Sequence, residues 1–250
     1  MKFQEPSGLL VGMMKSKKVI LVIVEGMSDK TVLSGLLPKM FGDYVFRFKI
    51  IHGDLLTQSS ITRSQILMQV NKQLSYAMSE YKYRPDDIKE VVHLVDLDAV
   101  YIDPSRIEER ENISKVYYTK EVMYVKDYNQ ILRRNTQKTL NLGRLMESSY
   151  LKRGHTRIPY AILYMSINLD HVISDNPNVT TNYDKARISY EFVENFRHHE
   201  ADFTHFSQAR LLPGADDYWS SWQVVQREEH ALKRSSNIYH YLMRVTSEVK

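Results

Sequence analysis

Val19-Ile20-Leu21-Val22-Ile23-Val24-Glu25-Gly26-Met27-Ser28-Asp29-Lys30 is the stretch whose reading decides the fold. Six apolar residues, mostly β-branched, fall far short of the roughly 20 that a membrane helix needs. They show no alternation with polar residues, so both faces of this strand are buried, as in a parallel sheet. Glu25-Gly26 ends the run and a helix follows. Ser28 or its neighbour can cap it, and Val32, Leu33, Leu36, Leu37 and Met40 recur at helical spacing before Gly42 ends the pattern.

Outward from this unit the rhythm repeats. Tyr44 to Ile51 reads as a second strand closing at His52-Gly53-Asp54. The next helix is expected from Ser59 or Ser60, with Ile66, Leu67, Val70, Leu74 and Ala77 as its apolar stripe, until Arg84-Pro85-Asp86-Asp87 breaks it. Val91 to Val95 is a third buried strand, ending in Asp96-Leu97-Asp98, and Pro159 to Met165 a fourth, followed by Ser166-Ile167-Asn168-Leu169-Asp170. Strands alternating with crossover-length helices imply an α/β fold, a parallel sheet of about four strands flanked by helices. Residues 104–157 interrupt it with a polar, tyrosine-bearing insertion containing a helix from about Asp127 to Met146. From Pro177 onward the chain reads as helical, with Arg187 to Phe196 and Trp222 to Met243 the clearest segments.

Composition narrows the chemistry. The chain has 250 residues, 43% hydrophobic and 26% charged, which suits a globular protein with a sizeable core. It has no cysteine, which excludes disulfide frameworks, iron–sulfur clusters and cysteine nucleophiles. The apolar patch Leu9 to Met14 is cut short by Lys15, Lys17 and Lys18, too early for a signal sequence, so a cytoplasmic location without membrane contact is expected. The net charge of +4 is unevenly spread: residues 115–157 carry ten Lys or Arg against three Asp or Glu. A basic stretch of this kind suits contact with phosphates.

In an open parallel sheet, functional groups gather beyond the carboxyl ends of the strands. Here those ends are acidic: Glu25 with Asp29 four residues on, the pair Asp96 and Asp98, and Asp170. Alternation along an extended chain places Asp96 and Asp98 on one side. Several carboxylates in one place need a cation, and oxygen donors without cysteine suit Mg²⁺ or Mn²⁺.

Val24-Glu25-Gly26-Met27-Ser28-Asp29-Lys30-Thr31-Val32-Leu33 resembles the first motif of Toprim domains, and Val95-Asp96-Leu97-Asp98 resembles their DxD motif. The chain is most similar to the small bacterial Toprim proteins related to the OLD nucleases and the RloB-type proteins, many of them in phage defence. In these a second strand ends near a glycine, as at His52-Gly53, and Ser166-Ile167-Asn168-Leu169-Asp170-His171 loosely matches a later element, without its proline and with Asp for Glu. The resemblance covers residues 17–103 and, more loosely, 158–175. It implies a Toprim-like (Rossmann-like) core at 16–175, interrupted by the basic insertion at about 104–157, with a helical extension at 176–250 packed on it.

The activity implied is Mg²⁺-dependent nuclease hydrolysis of phosphodiesters in DNA or RNA. Glu25, Asp96 and Asp98 would be catalytic, and the same three with Asp29 would hold the metal, with Asp103 and Asp170 as accessories. Lys30, Lys126, Arg133, Arg134, Lys138 and Arg144 would contact the nucleic-acid backbone, and Tyr117, Tyr118, Tyr124 and Tyr128 are placed to stack on unpaired bases. An ATPase partner or homo-oligomer is the assembly the resemblance implies. Two alternatives stay open. One is a catalytically silent Toprim module that binds nucleic acid or a partner protein. The other is a haloacid-dehalogenase-like phosphatase with Asp96 as nucleophile and Asp98 as acid/base, since Leu94 to Val100 also resembles that family's motif.

Overall fold

The structure is a computed structural model that describes residues 17–51 and 53–249; the Leu9–Met14 patch, Lys15 and His52 lie outside the described residues. At its centre runs β1 (Val19–Val24), with all six residues buried. β2 (Val45–Ile50) and β3 (Ile88–Asp96) pair with it in parallel on either side. β8 (Thr156–Met165) continues the sheet parallel to β3, and β7 (Tyr150–Arg153) closes the edge antiparallel, in the order β2-β1-β3-β8-β7. The protein is thus α/β, with a mostly parallel mixed sheet between helices.

Right-handed crossovers explain where the helices go. β2 and β3 lie on opposite sides of β1, so the helices leading to them cover opposite faces. Ile20, Val22 and Val24 pack with Val32, Leu33 and Leu36 of α1 (Met27–Met40), while Leu21 and Ile23 pack with Ile66, Val70 and Leu74 of α2 (Ile66–Tyr81). Each such buried Val, Leu or Ile contributes about 1.5–3 kcal/mol. After β3 the chain enters the insertion, whose long helix α3 (Tyr128–Met146) sets Leu142 and Leu145 on the α2 face. β1 and β3 are therefore neighbours whose outgoing chains diverge to opposite faces. A crevice opens at the carboxyl end of such a strand pair.

The insertion also holds a small sheet of β4 (Ile107–Glu109), β5 (Tyr117–Tyr118) and β6 (Met123–Val125), in the order β4-β6-β5. Its side chains, with Ile102, Ile131 and Leu232, make a separate small core. Beyond β8 come α4 (Leu169–Ser174), α5 (Asn182–Asn195), α6 (Asp202–Gln208), α7 (Tyr218–Val225) and α8 (Ile238–Val249). α5 lies close on α1: a Cβ on Gly35 would stand 2.6 Å from Val193 Cγ1, so glycine permits the approach. Phe192, Phe203 and Leu242 join the α1 face, and the fully buried Trp222 joins the other. Among the described residues no helix is long and apolar enough to cross a membrane.

Four expectations need correction. The main sheet has a fifth strand, β7, drawn from residues counted above as insertion. α2 begins at Ile66 and not at Ser59 or Ser60, because Leu55, Leu56 and Ile61 are buried as loop residues instead of lying on a helix. Trp222 to Met243 is not one helix: α7 ends at Val225, a 3-10 turn follows at Glu228–His230, and Ser235, Ser236 and Asn237 run buried beside β8 before α8 starts. There Asn237 Oδ1 accepts from Tyr164 N–H at 2.9 Å and Ser235 O accepts from Ser166 N–H at 2.9 Å, bonds that a helix would forgo. Finally, β3 stops at Asp96, so the alternation expected to align Asp96 with Asp98 is broken.

Candidate functional site

β1 and β3 end side by side, and Glu25 and Asp96 stand at their carboxyl ends. Both line a cleft of about 610 Å³ together with Asp29, Asp170 and Lys185. Asp29 is placed by the start of α1, where its Oδ2 accepts from Gly26 N–H at 2.9 Å. It is thus a cap as well as a member of the cleft, the role expected of Ser28 or its neighbour. Asp170 is placed by α4, whose cap is Asn168, accepting from His171 N–H at 2.9 Å. Opposite it, Lys185 of α5 holds its Nζ 3.2 Å from Asp170 Oδ2.

Asp98 lies behind this cleft. It and Ala99 adopt left-handed backbone, with φ of 50° and 54°, unfavourable for residues with a Cβ. The turn is tied down at several points. Asp98 N–H donates to Ile167 O at 2.9 Å, and Arg134 Nη2 donates to Asp98 O at 3.1 Å. The Asp98 carboxylate takes a bond from Lys138 Nζ at 2.6 Å, and Asp54 Oδ2 takes another from the same ammonium at 2.8 Å. Arg134 and Lys138 are one turn apart on α3, so the insertion clamps the Asp98 turn at its carbonyl and its carboxylate.

The electrostatics follow from this crowding. Burial raises the Glu25 carboxyl well above its ordinary range; Lys138 pulls it down, but Asp54, Asp98 and Asp29 push it up. Asp96 is raised likewise by burial and by Asp29, Glu25 and Asp98, against Lys138. Asp29 rises to about 6 through burial, the bond from Gly26 opposing, Asp170 adding and Lys185 subtracting. Burial lifts Asp170 too, with Lys185 opposing. Burial disfavours the Lys138 ammonium, yet Asp98, Asp54 and Glu25 hold its pKa above the ordinary value. Six carboxylates thus face two lysines.

This donor set is all oxygen and short of positive charge, the chemistry of a hard divalent cation. Asp170 Oδ1 is buried without a partner among the described residues, an acceptor such a cation would satisfy. The carboxylates nonetheless stand apart: among the described residues, no three Asp, Glu or His side chains are gathered closely enough to hold an ion as they stand.

The expected phosphate-contacting cations divide into three groups. Lys126, Arg133 and Arg134 line one groove of about 660 Å³ on the insertion, with Lys115, and Asp127 is its only acidic lining residue. Lys138 is a correction: its side chain has 0% exposure and serves Asp98 and Asp54, so it presents nothing to a ligand's backbone. Arg144, near the other end of α3, pairs with Glu147 at 3.1 Å, and Lys30, in the first turn of α1, is not among the residues lining the cleft. Asp103 is also corrected. It accepts from Ser105 N–H at 2.8 Å as the cap of a 3-10 turn, a bond that lowers its pKa at the surface. Of the tyrosines, Tyr118 is buried in the small core and Tyr124 is covered by the Arg110 guanidinium, 3.3 Å from its ring centre, whereas Tyr117 is exposed.

Asp54 and Lys185 were not expected. Asp54 follows Gly53 at the end of β2, so inspection of every strand end would have found it. Lys185 carried no local signal, because only the packing of α5 on α1 brings it to the cleft. No protein-family model, curated protein or solved structure matches the chain.

Proposed function

We propose that the chain is a metal-dependent phosphodiesterase acting on nucleic acid, with a Toprim-like core. The observation that carries this reading is the meeting of Glu25 and Asp96, from adjacent parallel strands, with Asp29, Asp170 and Lys185 in one cleft. Carboxylates whose pKa values are raised by burial and mutual repulsion stand in an arrangement more favourable with a cation than without. Glu25, Asp29, Asp96 and Asp170 would hold Mg²⁺ or Mn²⁺, while Asp98 remains behind them on Lys138. When bound, that ion supplies an activated water and stabilises charge growing on the phosphate.

The chain's own residues do the rest. Lys185, the cation of the cleft, faces the scissile phosphate. Glu25, its carboxyl held near neutrality, exchanges a proton with the attacking or leaving oxygen as the P–O bond breaks. The groove of Lys115, Lys126, Arg133 and Arg134 holds the flanking backbone, which the acidic cleft would repel. The role in phage defence and the ATPase or self-association partner belong to this reading through the resemblance alone.

The test is incubation of the purified protein with Mg²⁺ or Mn²⁺ on plasmid, single-stranded DNA and transfer RNA, beside Glu25→Ala and Asp98→Ala. Cleavage should need the metal and fall at least 100-fold in Glu25→Ala, the scale of lost general acid–base catalysis. Cleavage indifferent to both substitutions would refute the site. Binding without cleavage would favour the silent module, and activity confined to a small phosphomonoester the dehalogenase-like phosphatase.

A further inference from the structure

Two arginines meet on the far side of α4 from the acidic cleft. Arg210, just after α6, is drawn there by its backbone, whose carbonyl accepts from Ser236 N–H at 3.1 Å. Arg234, in the segment before α8, donates from Nε to Val172 O of α4 at 2.9 Å. Between them stands Asp175, which ends α4 in the left-handed conformation with φ of 63°. Its Oδ1 lies 4.0 Å from Arg234 Nε and 3.8 Å from His171 Nε2. These are loose ion-pair distances, and the Asp175 side chain is 61% exposed.

The positive groups are poorly compensated. Burial lowers the pKa of both guanidiniums, Arg210 adds its repulsion to Arg234, and Asp175 is the only carboxylate opposing the shift in either. His171 is held neutral, at about 4, by burial and by both arginines against Asp175. Two nitrogens have no partner among the described residues: Arg210 Nε and Nδ1 of His171, a residue 6% exposed. Buried polar groups are nearly always satisfied, so a pair left open beside two guanidiniums calls for a ligand.

We propose that Arg210, Arg234 and His171 form a binding site for a phosphate group, in which Asp175 stands in for the anion until the ligand displaces it. Guanidinium forks match phosphate oxygens, and two of them arriving from separate segments suit a tetrahedral anion better than a planar carboxylate. His171 contributes a neutral donor. The site shares no residue with the acidic cleft and stands whether or not that cleft is catalytic. The phosphate belongs either to a free nucleotide or to a nucleic-acid strand, two sources with one chemistry.

Calorimetric titration of the full chain at constant ionic strength, with inorganic phosphate, a mononucleotide and a short oligonucleotide, tests the site. Phosphate should bind the wild type, about tenfold or more weakly after Arg210→Gln or Arg234→Gln, the scale of one charge-assisted hydrogen bond. Asp175→Asn, a change at an exposed side chain, should tighten it, and Arg133→Gln, in the α3 groove, should leave it unchanged. Phosphate should also shift the His171 ring nitrogen resonances, which reports on the site without any variant. A mononucleotide that binds as tightly as the oligonucleotide identifies a free nucleotide; a tighter oligonucleotide, weakened by Arg234→Gln, identifies a strand. Equal phosphate affinity in wild type and Arg234→Gln, or unmoved His171 resonances at saturating phosphate, would overturn the proposal.

Discussion

Lys138→Met tests whether the insertion holds the acidic centre together. Methionine keeps much of the stem's volume and deletes the ammonium, which has 0% exposure and lies 2.8 Å from Asp54 and 2.6 Å from Asp98. Removing one partner of a buried ion pair costs about 3–5 kcal/mol, because the other charge is left uncompensated. Two features of this site pull in opposite directions. Both carboxylates, and Glu25 beyond them, lose the same cation, which adds to the cost. Asp54 and Asp98 keep 17% and 29% exposure, so water reaches what the ammonium abandons. The lower end, about 3 kcal/mol, is therefore expected, and at about 2–4 °C per kcal/mol for a chain of this size Tm should fall by about 6–12 °C. Scanning calorimetry without divalent ions measures it. Mg²⁺ should then restore more stability to the variant than it adds to the wild type, since a bound cation replaces the missing one. A variant within about 1 kcal/mol of wild type would refute the claim that Lys138 neutralises this cluster.

Three further outcomes follow from the same geometry. Asp29 has a folded pKa of about 6 against an ordinary 3.8, so the folded state binds its proton more tightly than the unfolded chain does. Its burial is therefore tolerated below about pH 4 and costs stability as pH rises through 4 to 6; Asp29→Asn should stabilise by about 1–3 kcal/mol at pH 7.5 and change little at pH 4, read from urea midpoints. Gly35→Ala forces a Cβ within 2.6 Å of Val193 Cγ1 and should destabilise by about 1–2 kcal/mol despite alanine's better helix propensity. Val193→Ala in the same chain should relieve part of that loss, and strict additivity in thermal melts would count against the contact. Arg133→Gln should weaken oligonucleotide binding and reduce its salt slope by about 1, whereas Arg144→Gln, with its guanidinium on Glu147, should do neither.

What was legible in the sequence was what period and strand ends encode. Val19–Val24 is buried on both faces and announces itself; its strand limits coincide with those in the structure, and Asp127 caps α3 where the helix was expected to begin. Glu25 and Asp96 were legible because parallel strands deliver their last residues to one crevice, whatever the loops do. Asp98 was legible as a member of the cluster but not in its role. Two residues past a strand, the chain had already left the extended conformation for positive φ, and alternation no longer says where a side chain goes.

Lys138 shows the deeper limit. On α3 it shares a turn with Arg134, and in sequence nothing separates the two; both read as cations of a basic helix. They differ in the structure because the helix is seen from two sides: Lys138 meets Asp54 and Asp98 from within, while Arg134 reaches the Asp98 carbonyl and still lines the outer groove. Charge counting over residues 115–157 therefore overstates what the insertion offers a ligand. It also understates what the insertion does for the site, since one of its ten cations is spent holding the turn that a helix of neutral residues could not hold. The basic segment and the acidic strand ends, separate features of the sequence, are one electrostatic unit in the fold, and substitutions in α3 should be felt at both ends of it.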